Sequence, residues 1–90
     1  MKIKEVSFYL DGGTVVIRTD KGAYCVDSRI HTKTKGKLFY GYPRYDNMNI
    51  VENPETIKNE LIECINLYED DEHLVDSMKE HIIKLISDNN

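Results

Sequence analysis

The sequence has little that would mark a membrane or secreted protein. It contains two cysteines, two prolines, one alanine and no tryptophan in 90 residues. No run approaches the roughly 18–20 apolar residues that a membrane helix needs, and the first ten residues lack the apolar stretch and cleavage site of a signal peptide. We therefore expect a cytoplasmic protein. Lysine outnumbers arginine nine to three, which with the single alanine suggests a low-GC bacterium or its phage.

The two cysteines give no metal or redox motif. Cys25 and Cys64 each stand alone in an apolar setting, without C-x-x-C spacing. Free cysteine behaves as a small hydrophobic residue, so both are predicted to be reduced and buried. A disulfide between them is the alternative.

What is present indicates one folded domain, residues 1–90. The chain is 40% hydrophobic and 31% charged, which is ordinary for a globular protein, and it is too short for two cores. Charge divides it near residues 51–53. Residues 1–51 carry nine basic and five acidic side chains, and residues 52–90 carry three and eleven. Such an asymmetry gives a dipolar field that steers a partner or a second copy.

The first half reads as an antiparallel meander. In the segment 5–10, Val6, Phe8 and Leu10 alternate with polar or aromatic residues, the period of a strand with one buried face. Further strands are predicted at 14–19, 23–26 and 37–42, with turns at 11–13, 19–22 and 33–36. The segment 28–32 is predicted either as an edge strand paired with 37–42 or as irregular chain. Ile50 and Val51 are expected to pair briefly or to pack beneath the helices.

The second half reads as two helices. Asn53-Pro54-Glu55 combines a good N-cap, a favoured first helical residue and an acid near the positive end of the helix dipole, so a helix is predicted from Pro54. Its apolar stripe comprises Ile57, Leu61, Ile62, Cys64, Ile65 and Tyr68. A second helix, capped by Asp70 or Asp71, is predicted to carry Leu74, Val75, Met78, Ile82, Leu85 and Ile86. One continuous helix over 54–88 is the alternative.

These elements predict an α+β fold with a three- or four-stranded antiparallel meander and two C-terminal helices packed on one face. Residues 1–51 form the meander and connection, and residues 52–90 form the two-helix segment. Consecutive hairpins and short connections favour this order.

A basic, aromatic segment spans residues 29–45 and contains no acid from Arg29 to Arg44. Lysine and arginine neutralise phosphates while aromatic rings stack on unpaired bases, as in single-strand binders built on small sheets. The other interpretation is a solvated hairpin tip followed by a strand that covers the core. The candidate binding residues are Arg29, Lys33, Lys35, Lys37, Tyr40, Tyr42, Arg44 and Tyr45.

Enzymatic and metal-binding motifs are missing from the sequence. It has no G-x-S-x-G, no P-loop and no H-E-x-x-H. The acids at 69–72 beside His73 are interpreted as helix capping, and His81 lies eight residues further on, too far for a helical metal pair. Cys64 is interpreted as a core residue rather than a nucleophile paired with His81. No cofactor, metal or small-molecule substrate is implied.

We therefore predict a non-catalytic interaction or regulatory protein that binds another protein or itself. A small domain with an open sheet edge gains core by pairing, which favours a homodimer. The acidic helices offer a surface for a basic partner, or charge that merely keeps the helices in solution. The alternative function is a module that binds single-stranded DNA or RNA through residues 29–45.

Overall fold

In the computed structural model the chain forms a five-stranded antiparallel sheet followed by two helices. The structure describes residues 1–8, 13–29, 33, 36–41, 49–51, 53–69 and 76–87. The strands lie side by side in chain order. They are β1 (Ile3–Phe8), β2 (Thr14–Thr19), β3 (Gly22–Asp27), β4 (Leu38–Tyr40) and β5 (Asn49–Ile50), and the helices are α1 (Pro54–Leu67) and α2 (Asp76–Ser87). The predicted fold class is confirmed, with a fifth strand beyond the three or four expected.

The β2–β3 hairpin follows directly from its turn residues. Thr19 pairs with Gly22 across a two-residue loop, and Gly22 has a φ of 122°, which disfavours residues with a side chain. A Cβ atom at Gly22 would also collide with the ring of Tyr40. The backbone conformation therefore favours glycine here, and the Tyr40 ring lies against the space that a side chain would occupy.

Strand β1 contains an irregularity that the alternation pattern did not predict. Its register against β2 shifts between Ile3 and Glu5, which is the effect of a β-bulge. Because of the shift, Ile3 and Val6 are both buried although they are three residues apart. Phe8 shares the face of Val6 but is 48% exposed, which corrects the expectation of a buried side chain there. Leu10 and the turn at 11–13, apart from Gly13, lie outside the described residues.

The fourth strand has a different partner from the one predicted as the first possibility. Leu38–Tyr40 pairs with β3, with Val26 opposite Leu38 and Tyr24 opposite Tyr40. Ser28 and Arg29 are not in a strand, and residues 30–32 lie outside the described part. In the described residues the irregular alternative for this segment is therefore correct. The strand is also shorter than the predicted 37–42, and Tyr42 is not among the described positions.

The helix boundaries confirm two separate helices. Helix α1 begins at Pro54 as predicted, although Asn53 makes no side-chain capping hydrogen bond. It ends at Leu67, because Tyr68 is extended, with φ −74° and ψ 125°, so the single long helix is wrong. Lys79 Nζ of α2 donates a hydrogen bond to the carbonyl of Tyr68, placing a cation at the negative end of α1. The predicted caps of the second helix, Asp70 and Asp71, lie outside the described residues.

The main core lies between one face of the sheet and both helices. Alternate residues of the strands pack there against the apolar stripes of α1 and α2. Its buried members are Ile3, Val6, Val15, Ile17, Tyr24, Val26, Leu38, Leu61, Ile65, Ile82, Leu85 and Ile86. A second buried cluster on the opposite face of the sheet comprises Val16, Ala23, Cys25 and Phe39. Neither α1 nor α2 is long and apolar enough to cross a bilayer.

Candidate functional site: the outer edge of strand β1

The structure describes half of the residues predicted to bind nucleic acid. Lys35, Tyr42, Arg44 and Tyr45 lie outside the described part of the chain. The four described residues are Arg29, Lys33, Lys37 and Tyr40, of which Lys33 and Lys37 are exposed on the surface. Arg29 and Tyr40 have specific contacts within the fold.

Arg29 is engaged by a buried carboxylate. Its Nε and Nη2 atoms donate to the two oxygens of Asp27 at 3.0 Å each, and its backbone N–H donates to Oδ1 at 2.9 Å. The Arg29 side chain also lies over Gly13, where a Cβ atom would collide with it. Because Asp27 is only 5% exposed, a forked partner is needed to compensate its charge. This arginine therefore compensates a buried charge at the end of β3 and packs against Gly13, just before β2.

Tyr40 packs at the other end of β3. Its ring meets that of Tyr24 edge to face, with centroids 5.3 Å apart and an interplanar angle of 72°. Its hydroxyl donates to the carbonyl of Lys21 at 3.3 Å. Edge-to-face pairs of this kind stabilise a sheet, so both described contacts of Tyr40 support the β2–β3 hairpin. The structure thus places Arg29 and Tyr40 at different ends of one strand.

The described cysteine and histidine side chains show no arrangement for nucleophilic or metal chemistry. Burial raises the pKa of the Cys25 thiol to about 11, and Asp27 adds to this effect, so the thiol is neutral near pH 7. Cys64 donates to the carbonyl of Met1 at 3.0 Å, and His81 lies on the exposed side of α2. Among the described residues, no group of three or more His, Cys, Asp or Glu side chains could hold a metal ion. His73 is not among them.

A groove follows the outer edge of β1. Two adjoining depressions, of about 420 and 570 Å³, are lined between them by every residue from Met1 to Phe8. Tyr68, just after α1, contributes to both. Leu67 lines the smaller depression and is 75% exposed, and Met78 of α2 lines the larger one beside Phe8. The groove therefore has one wall from strand β1 and a second, mostly apolar wall from the helices and the residues just after α1, where Glu69 also lines the smaller depression.

The hydrogen-bond alternation of the sheet shows which way the backbone groups of β2 face. The N–H of Ser28 donates to the carbonyl of Gly13 at 2.7 Å, between the chain that follows β3 and the chain that precedes β2. In an antiparallel pair such bonded positions recur at every second residue. Val15 therefore directs its backbone groups toward β3, and Val16 directs its own toward β1.

The same alternation fixes the orientation of β1. Ser7 lies opposite Val16, so the N–H and C=O of Ser7 face β2. The backbone groups of its two neighbours, Val6 and Phe8, consequently face away from the sheet. No described strand pairs with this outer side of β1. Val6 and Phe8 thus present hydrogen-bonding groups beside the larger depression.

The two halves of this edge differ in chemistry. The first half has the bulge near Lys4, the charges of Lys2 and Lys4, and an exposed ion pair between Glu5 and Arg18 with a 3.5 Å separation. Bulges and charges on an edge strand discourage pairing with other chains. The second half, Val6 to Phe8, is uncharged and keeps a regular register. Only this second half has the usual properties of a strand that accepts another.

The sequence predicts an open sheet edge but not which of the two edges is open. The groove depends on Tyr68 and Met78, which come to β1 only through tertiary packing. Two local features of the sequence do point to this edge. The charges of the first strand stop at Glu5, and α1 carries an exposed apolar residue, Leu67, outside its apolar stripe. Comparison with protein-family models, with curated proteins and with solved structures gave no match.

Proposed function

We propose that this chain is a non-catalytic interaction protein that binds an extended segment of a partner protein, or of a second copy of itself, along the outer edge of β1. The observation that carries the proposal is the uncharged stretch from Val6 to Phe8. Its outward backbone groups border a groove whose helix side is formed by Tyr68 and Met78, and Phe8 itself is 48% exposed.

Strand addition explains why backbone and groove occur together. An added strand gains affinity from main-chain hydrogen bonds and specificity from pockets that accept alternate side chains. In the groove, the two depressions lie one after the other along β1. An extended segment paired with β1 directs every second side chain toward the helix side of the sheet. Alternate apolar side chains would therefore enter the space beside Tyr68.

The proposal is tested with a displayed library of random decapeptides that is selected on the wild-type protein alone. The selected peptides are then measured for binding to Phe8→Pro. Proline at residue 8 removes an outward N–H that the sheet does not use, so the fold is retained. Phe8→Ala is the matched control, because it removes the side chain and keeps the N–H. We expect the selected peptides to have alternating β-branched or aromatic residues. They should bind the wild-type protein, bind Phe8→Ala more weakly and show no binding to Phe8→Pro.

Circular dichroism and thermal melting establish that both variants are folded before binding is compared. Two results would contradict the proposal. One is a selection that yields no peptide while the wild-type protein is also monomeric. The other is a set of peptides that bind Phe8→Pro as well as Phe8→Ala, since these would not use the backbone of β1.

A further inference from the structure

We infer that the segment bound along β1 is β1 of a second copy, antiparallel and with Ser7 opposite Ser7, so that two five-stranded sheets join into one. This inference rests on the proposed function and names its partner. A symmetric dimer uses the same surface on both subunits, so the strand must be complementary to itself.

The charges of β1 exclude two registers of self-pairing. A two-fold axis through an antiparallel strand pair places one residue opposite its own copy. With the axis at Lys4 or at Glu5, like charges would be directly opposed, which is destabilising. With the axis at Val6, Phe8 would face Lys4, where the bulge disrupts regular pairing. The axis at Ser7 avoids all three conflicts.

The register centred on Ser7 also uses the outward backbone groups. Val6 of each copy then lies opposite Phe8 of the other, and these are the residues whose N–H and C=O face outward. Each such pair exchanges two hydrogen bonds, so the symmetric contact contains four. Lys4 of the two copies is separated by six residues along the strand direction, about 20 Å, which removes their repulsion at ordinary ionic strength.

The side chains are complementary in the same register. Phe8 of the second copy lies beside Val6, which lines the larger depression with Tyr68 and Met78. An axis perpendicular to the sheet leaves the helices of both copies on the same side, so the two grooves face each other. Each half-exposed Phe8 is then covered by the apolar wall of the other copy, and burial of that ring favours association.

Disulfide trapping measures the register directly. In the inferred dimer the two Ser7 residues form a non-hydrogen-bonded pair with Cα atoms about 4.5 Å apart, a separation that a disulfide spans. The two Glu5 residues lie on the same sheet face but about 14 Å apart. We expect Ser7→Cys to form a covalent dimer on mild oxidation, while Glu5→Cys and the wild-type protein, with its buried Cys25 and half-buried Cys64, do not.

Light scattering over a concentration series measures the association without a cross-link. We expect a dimer for the wild-type protein. Phe8→Pro removes two of the four hydrogen bonds and should weaken association about tenfold or more relative to Phe8→Ala. Equal weakening by the two variants would overturn the inferred pairing.

The remaining outcomes separate this inference from the proposed function. Cross-linking of Glu5→Cys at the rate of Ser7→Cys, or faster, would overturn the register. A third outcome is a wild-type protein that is monomeric and a Ser7→Cys variant that forms no covalent dimer, while selected peptides bind the wild-type protein but not Phe8→Pro. This result would overturn the second copy as the occupant and leave the proposed function supported. A monomer that binds no peptide would overturn both.

Discussion

The two edge strands of the sheet, β1 and β5, differ in how they are protected from pairing with other chains. Strand β5 is two residues long, and its Ile50 is 56% exposed. Strand β1 is six residues long and combines a bulge and charges in its first half with an uncharged second half. Edge strands invite unwanted pairing unless they are short, charged or irregular. The β5 edge is protected by its shortness, whereas the β1 edge is protected only as far as Glu5.

Attachment to the core differs as well. Val6 of β1 packs among residues of both helices in the main cluster, so β1 is held firmly while its outer edge stays available. In β5, Ile50 lies opposite Phe39 on the other face of the sheet and adds little burial. A rigid strand with outward backbone groups binds another strand at a lower entropic cost than a short, weakly held one. This contrast favours β1 over β5 as the place of the proposed interaction.

Matched alanine substitutions test the contrast with the largest expected effect. Val6→Ala should lower the free energy of unfolding by about 2 kcal/mol, because it leaves a cavity in the main core. Ile50→Ala should lower it by less than about 0.5 kcal/mol, because the side chain is mostly in solvent. Urea denaturation of both variants gives the comparison. Similar losses of unfolding free energy for the two variants would mean that β1 and β5 are attached to the core equally well.

Substitution of Arg29 tests whether this residue, one of the candidate nucleic-acid contacts on the β3–β5 side of the sheet, stabilises the fold or binds a nucleic acid. Arg29→Ala should destabilise the fold by about 1–2 kcal/mol, since it leaves the buried carboxylate of Asp27 without its forked partner. Arg29→Lys should recover part of this loss. Urea denaturation measures the cost, and electrophoretic mobility with labelled oligo-dT measures binding. A variant of unchanged stability that loses salt-sensitive oligo-dT binding would instead favour the alternative function.

Adding one charge to each edge should leave stability nearly unchanged but separate the two edges in function. Phe8→Lys extends the charged half of β1 over its uncharged half, and Ile50→Lys places the same charge on β5. Both side chains are about half exposed, so we expect each to cost no more than about 1 kcal/mol in thermal unfolding. Self-association measured by light scattering should be lost with Phe8→Lys and kept with Ile50→Lys. The reverse result would place the interface at β5.

Local chemistry predicted much of this fold, and long-range packing decided the rest. Pro54 and Gly22 act through their own backbone preferences, so the helix start and the β2–β3 turn were predictable from a few neighbouring residues. The partner of β4 and the bulge in β1 depend on residues far away in the chain, and no local pattern encodes them. The groove likewise depends on long-range packing, because Tyr68 and Met78 reach β1 only when α1 and α2 are packed.

The smallest effect is expected where β1 begins. The N–H of Lys2 donates to Asp20 Oδ1 at 2.8 Å, and the N–H of Asp20 donates to the carbonyl of Lys2 at 3.0 Å. This first hydrogen bond lowers the pKa of the Asp20 carboxyl below its usual 3.8. A lowered pKa in the folded state means that the contact stabilises the strand end above pH 3.8 and that this contribution is lost as the pH falls through the folded value.

Amide hydrogen exchange at Lys2 reports this contact, once each rate is divided by the intrinsic rate at the same pH. Protection at Lys2 should fall as the pH drops below 3.8, while protection at Val16 in the middle of β2 should not. In Asp20→Asn the side chain does not titrate, so the pH dependence at Lys2 should disappear. Loss of protection at both positions together would mean that acid unfolds the whole sheet. The start of β1 would then open no more easily in acid than the middle of β2, and the Asp20 contact would have no separate role at this edge.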